Sequence, residues 1–281
     1  MTGVAAPGIP QDLQELLQPE PARLRTATAV ARRWLLPWLV LFGGWEAVSH
    51  FAGLNPQLFP PLEVVLPTCW QLLRNGVLLS SAAATLGRLL LGWAAASAVG
   101  LAAGFAMARS RFVQDLLLPL ISILMPIPSL ALVPLFILWF GLSETSVIVL
   151  VFFTAVLPMT LNTWMGMTSV RPVLMRAAQS MDVTGYRLFR KVVLPGSLPF
   201  VMTGLRIGLA NGWKAVVAGE MIAASQSGLG VLIFNSREFL RTDVMLSTLL
   251  VIGPLGFLLE RVLFQSVERA TIARWGMTSN A

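Results

Sequence analysis

Four polar side chains stand inside one apolar stretch of this 281-residue chain: Arg206, Asn211, Lys214 and Glu220 all fall within 196–223. An ionisable group set in apolar sequence is costly to keep there, and where it persists it faces a cavity, a partner charge or a water-filled path. Arg206 and Lys214 lining such a path would attract an anion. Two other arrangements suit the same residues: Arg206 is shallow enough to snorkel to headgroups, and Lys214 would pair with Glu220 or with a residue of a facing subunit. At about 1.5 Å per residue, a helix that starts near Pro199 puts Lys214 near mid-depth and Glu220 toward the far end. Gly204, Gly208 and Gly212 recur every four residues and give one face on which another helix can approach closely.

Other chemistry is excluded by residue type. One cysteine (Cys69) and one histidine (His50) cannot build a disulfide framework or a Cys/His metal site. The apolar stretches hold no G-x-S-x-G elbow and no carboxylate pair, and the chain has no G-x-x-x-x-G-K-[ST] phosphate cradle. We therefore expect no enzyme, no metal, no bound cofactor and no ATP site of its own. Arg88 and Glu46 sit near the ends of their stretches and read as interfacial. Trp139, Trp164 and Trp213 read as belt or packing residues, and Asn162 and Thr163 as hydrogen-bonding links between helices.

The elements that position these residues are apolar runs. Hydrophobic residues make up 56% of the chain and charged ones 12%, against roughly 25% charged in soluble proteins, and mean hydropathy is +0.76. Such a chain cannot cover its surface with polar groups, so its solvent is largely lipid. The net charge of +7 does not point to nucleic acid, because Arg and Lys sit in short clusters between apolar runs. Stretches 34–53, 82–108, 112–140, 145–167, 196–223 and 243–265 predict an all-α polytopic membrane protein with about six spans. The stretch 112–140 contains Pro119, Pro126, Pro128 and Pro134 and is too short for two spans, so it reads as one long, bent helix or a helix with an irregular entry. Residues 54–80, with Pro56, Pro60, Pro61 and Pro67, read as an external loop with one short helix. The expected organisation is a tail over 1–33, a transmembrane domain over 34–268 and a tail over 269–281.

Residues 1–30 lack the apolar core of a signal peptide and carry Asp12, Glu15 and Glu20. Residues 10–26 suit a short surface-lying helix or a frayed tail equally well. With both ends on the cytoplasmic side, fourteen Arg and Lys residues lie inside against Arg74, Arg237 and Arg241 outside. That bias sets the expected orientation.

The inside segment 170–199 is more than a connector. Pro172 suits a first helical turn, Val173 to Met181 contains no breaker, and Gly185 permits a turn. Tyr186–Val193 then starts a second short helix, expected to end at Pro195. The segment is expected to expose Leu188, Phe189 and several cations, a surface suited to docking.

The stretch resembles the EAA loop of bacterial ABC importer permeases: Glu-Ala-Ala, three residues, Gly, then about nine residues to an apolar-x-Leu-Pro. Ala177, Ala178, Val192, Leu194 and Pro195 fall on the pattern, while Arg176 stands where the family has Glu and Asp182 where it has Gly. Gly185 is expected to supply the turn instead. PIPSLALVPLFILWFGLSE (126–144), LPMTLNTWMGM (157–167), TGLRIGLANGWKAVVAGEM (203–221) and SGLG (227–230) are similar to the sulfonate, taurine, nitrate and bicarbonate branch. The resemblance implies a permease in the bacterial inner membrane, paired with a second copy of itself and served by separate ATPase subunits and a periplasmic or lipid-anchored substrate-binding protein. ATP would be bound and hydrolysed by the partner. Arg176, Ala177, Ala178, Asp182, Gly185, Arg187, Leu188, Phe189, Leu194 and Pro195 would carry the coupling to that ATPase. Arg206, Asn211, Lys214 and Glu220 would line the substrate path. An ion-gradient-driven transporter, or a permease for a non-anionic solute, is the alternative.

Overall fold

A computed structural model describes residues 27–223 and 226–271, with side chains over 35–223 and 226–263. Helix is the only regular structure among them. The expectations for 1–26 and 272–281 lie outside the described residues. The chain divides into two units, Met1–Leu54 and Asn55–Ala281. The described part of the first is α1 (Ala27–Phe51), which overlaps the expected span 34–53.

The second unit holds α2 (Leu62–Arg74), α3 (Val77–Arg109), α4 (Arg111–Leu124), α5 (Ser129–Phe140) and α6 (Glu144–Thr168). It continues with α7 (Pro172–Ser180), α8 (Gly185–Ala223), α9 (Leu229–Glu238) and α10 (Thr242–Thr271). Among the described residues α3, α6, α8 and the Thr242–Leu263 part of α10 are each long and apolar enough to cross a membrane. The pair α4 and α5 passes only jointly, bent by 105°. The expected single bent helix over 112–140 is thus a sharply broken one. Met125 is still helical, at φ −61° and ψ −38°, with its N–H on the Ile121 carbonyl at 2.9 Å. Pro126 and Pro128 lack backbone N–H donors, so the ladder stops after it and restarts at Ser129.

The core is α6, flanked by α3 and α8. Val147, Leu150, Val151, Ala155 and Met159 of α6 are fully buried or nearly so. Close approach is set by glycines on both neighbours. A Cβ at Gly104 of α3 would come within 2.6 Å of Thr163 Cβ, and one at Gly204 of α8 within 2.8 Å of Asn162 Cβ. The four-residue glycine repeat on 204–212 does pack another helix, and that helix is α6. Small residues serve here because apolar burial drives helices together only weakly in lipid, so contact area depends on backbone proximity. On the far side α2 lies along α10, with Ser247 Oγ donating to the Val65 carbonyl at 2.9 Å.

Candidate functional site

The segment 170–195 leaves the bundle as α7 and returns as the first turns of α8. Proline at the first position starts α7, and none of its side chains is buried. After Ser180 the chain reverses: Met181 N–H donates to the Ala178 carbonyl at 3.1 Å, and Val183 N–H to the same oxygen at 3.0 Å. Asp182 takes φ 62° and Gly185 φ 57°. The expected transfer of the turn from 182 to 185 is therefore only half the account. Position 182 keeps the left-handed backbone that a glycine supplies without cost, and Asp is among the few other residues that tolerate it.

Two expectations for this segment are corrected. The second helix does not end at Pro195. It runs on as α8, with a π-helical turn at Phe189–Val193 just before Leu194. A proline in the first α-turn after that widened turn has no ladder bond to break, so the helix continues. Leu188 and Phe189 are not exposed but half-buried. The Phe189 ring meets Phe105 of α3 edge-on, with centroids 5.1 Å apart. The exposed large apolar side chains are instead Val173, Leu174, Met181, Tyr186 and, past the π turn, Leu194. They stand beside the exposed Arg176, Ala177, Arg187 and Arg190, while Ala178 is half-buried.

Along α8 the four polar residues fall on three faces, with Asn211 and Lys214 together. Phe200, Thr203, Ile207, Asn211, Lys214, Ala218 and Ile222 form a stripe at three- and four-residue spacing that the rest of the unit leaves exposed or half-exposed. Asn211 and Lys214 on that stripe line a cavity of about 230 Å³ with Leu124 to Ser129 of the α4–α5 break and Phe153, Thr154, Leu157 and Pro158 of α6. Lys214 makes no hydrogen bond or ion pair with another described residue. Arg206 lies outside that lining, its Nε 3.7 Å from Glu260 Oε1 of α10.

Glu220 points elsewhere again. Six residues after Lys214, it is turned by about 240° around the helix axis, so the Lys214–Glu220 pair does not form. Its Oε1 accepts from Arg88 Nη1 at 2.6 Å, and its Oε2 accepts from Thr85 Oγ1 at 2.9 Å and from Gly230 N–H at 3.0 Å. Arg88 also donates to Glu144 Oε1 at 2.8 Å and to the Ser227 carbonyl at 2.7 Å. Leu229 N–H completes the knot by donating to Thr85 Oγ1 at 2.9 Å. The reading of Arg88 as interfacial is overturned, since it is 3% exposed. A buried guanidinium needs acceptors, and the ends of α6 and α8 with the Ser227–Gly230 turn supply three. A signal was available: Arg88 and Glu220 are opposite charges at the same expected depth of two apolar stretches. This knot lies at the Glu144 end of α6, while α7 follows its other end.

A family model described as the binding-protein-dependent transport system inner membrane component matches residues 96–270. The chain is 38% identical to the taurine transport system permease protein TauC of Escherichia coli over 79% of its own length and 82% of that protein. It is 36% identical to the putative aliphatic sulfonates transport permease protein SsuC of Escherichia coli, covering 87% and 94% of the two chains. It is 32% identical to the nitrate import permease protein NrtB of Synechocystis sp., covering 63% and 64%. Among solved structures, a chain of the inward-facing MetNI methionine ABC transporter matches with TM-score 0.57 at 20% identity, over 69% of this chain and 96% of that one. That likeness concerns the fold.

Proposed function

The chain belongs to the family of binding-protein-dependent transport system inner membrane components, and from that premise we propose that it passes a small oxyanion of the sulfonate, taurine or nitrate type into the cell. The observation that carries the substrate class is Lys214. It is an exposed cation about 14 Å along α8 from Ala223, without a partner among the described residues and lining the cavity beside the broken helix. A charge at that depth is not stable against hydrocarbon, so its face belongs to a water-filled path or to a second subunit. On the water-filled path, which the cavity lining favours, it would set a positive potential where the solute passes.

Energy would enter through α7. Val173, Leu174, Met181 and Tyr186 form an exposed apolar ridge flanked by Arg176, Arg187 and Arg190, a surface shaped to sit in a groove of an ATPase subunit that binds and hydrolyses ATP. Ala177, Ala178, Asp182 and Gly185 keep that ridge short and sharply turned. Leu188, Phe189, Leu194 and Pro195 would transmit its motion into α8, because the return from the turn, Gly185 onward and including Tyr186 of the ridge, is one continuous helix with the span. The working unit would be two copies of this chain, two ATPase subunits and a substrate-binding protein on the opposite side, with α7 facing the cytoplasm. Arg206, held near Glu260, would steady α8 against α10. Glu220 would fix the outer end of the path.

The test is reconstitution of the chain with its ATPase and binding protein, followed by ATP-dependent uptake of taurine, alkanesulfonates, nitrate and bicarbonate. Import of one or more of these, and none without ATP, is the expected result. Import confined to neutral or cationic solutes would sink the reading.

A further inference from the structure

We propose that the cavity at the α4–α5 break is a binding site for a short-chain alkanesulfonate, with the anionic head at Lys214 and Asn211 and the uncharged tail among Ile127, Phe153 and Leu157. The inference rests on the oxyanion reading and narrows it from a class of anions to one chemical type at one place.

The head is placed by charge and donors. Lys214 brings a cation with no competing partner among the described residues. Asn211, one turn earlier on the same stripe, brings an amide that makes no hydrogen bond with another described residue. The break contributes a third element: α5 starts after Pro128 with no side-chain cap, and while Ala131 N–H donates to the Pro128 carbonyl at 3.0 Å, the N–H groups of Ser129 and Leu130 are left for an outside acceptor. Thr154 is no rival donor, because its hydroxyl is spent on the Leu150 and Val151 carbonyls at 3.0 and 3.1 Å.

The tail is placed by the walls. Leu124, Met125, Pro126, Ile127, Phe153 and Leu157 make most of the lining apolar, which suits methylene groups better than a small hydrated ion such as nitrate. No carboxylate is among the lining residues. Glu220, the acid nearest in sequence, is held by Arg88, Thr85 and Gly230. An aminosulfonate would therefore bring an ammonium that nothing here pairs, an expensive burial. At about 230 Å³ the space is below the roughly 300–1,000 Å³ of sites for drug-sized ligands, which limits the tail to a few carbons. A mobile lysine in place of a fixed fork holds an oxyanion loosely, and a transport path needs weak holding.

The test uses the full chain with its ATPase in lipid, Cys69 replaced by serine and a thiol placed in the cavity by Thr154→Cys. Measured against each reagent's rate on a small free thiol, sulfonatoethyl methanethiosulfonate should gain roughly tenfold over its trimethylammonioethyl analogue at that position, the ratio opposite charges give near one ammonium even at water's dielectric constant. Lys214→Met should abolish the preference and Lys214→Arg should keep it. Propane-1-sulfonate should slow the modification more than taurine at equal concentration. If Thr154→Cys does not assemble, Leu157→Cys reports on the same space. A rate ratio no different from that on the free thiol, a preference that survives Lys214→Met, or equal protection by taurine would each overturn the site. Uptake by the unaltered transporter separates the two levels. Sulfonate import without these cavity signals leaves the oxyanion reading standing and removes this site, whereas import of neutral solutes alone removes both.

Discussion

Arg88 is gripped by two carboxylates in opposite surroundings: Glu220 is 1% exposed, while the Glu144 side chain is 64% exposed. Removing a partner from a buried pair strands a charge, whereas removing a solvated partner costs little. Glu220→Ala should therefore lower stability by about 3–5 kcal/mol, and Arg88→Met together with Glu220→Met should recover most of the loss. Glu144→Ala should cost less than about 1 kcal/mol. Thermal melts of the detergent-purified protein would check all three, and a large effect at Glu144 would contradict the assignment. Asp182 allows a test of the opposite sign. Its left-handed φ of 62° predicts that Asp182→Gly relieves strain and raises stability by up to about 1 kcal/mol, while Asp182→Val lowers it. If glycine there is no better than valine, the turn does not control the segment.

Whole elements depend on how closely α6 can be approached. Gly104→Leu and Gly204→Leu would drive side chains into Thr163 and Asn162. Overpacking of this kind typically costs about 1–3 kcal/mol and should appear as lost folded yield. Gly87→Leu, on the same helix as Gly104 but with nothing within 4 Å of its Cβ position, should be tolerated, and the contrast separates packing from helix propensity. The α7 ridge is tested by copurification: Tyr186→Ser with Met181→Ser should weaken retention of the ATPase, as should Arg187→Glu. Unchanged retention would move the docking surface elsewhere. The extent of α6 was legible in sequence, and so were the inner limits of α3 and α10, because a run of apolar residues fixes a helix whatever it packs against. α3 begins earlier, at Val77, and α10 ends later, at Thr271, than the apolar runs alone. The passage from α7 into α8 was not. Pro195 reads locally as a stop, and only the π turn beside it, seated against Phe105, makes it a point of continuation.

At the scale of the whole molecule, α6 separates two ends of different character. Its 25 residues span about 37 Å, with the Arg88 knot at one end and the α7 ridge after the other. Orientation is open to direct measurement. In a Cys69→Ser background, Met181→Cys should react with an impermeant maleimide only from the cytoplasmic side, and Leu240→Cys only from outside. The reverse pattern would invert the transport direction proposed here. Sequence by itself determined the solvent, the approximate limits of most spans and the kinship, because each follows from composition or from order along the chain. Of the six spans expected, four stand among the described residues, or five if the broken pair α4–α5 counts as one. Tertiary structure alone decided which charges meet. Arg88 and Glu220 lie 132 positions apart, and Lys214 and Glu220 share a helix yet face different ways. Helical rotation and the packing of three helices set those pairings, and neither is written in the spacing of any one stretch.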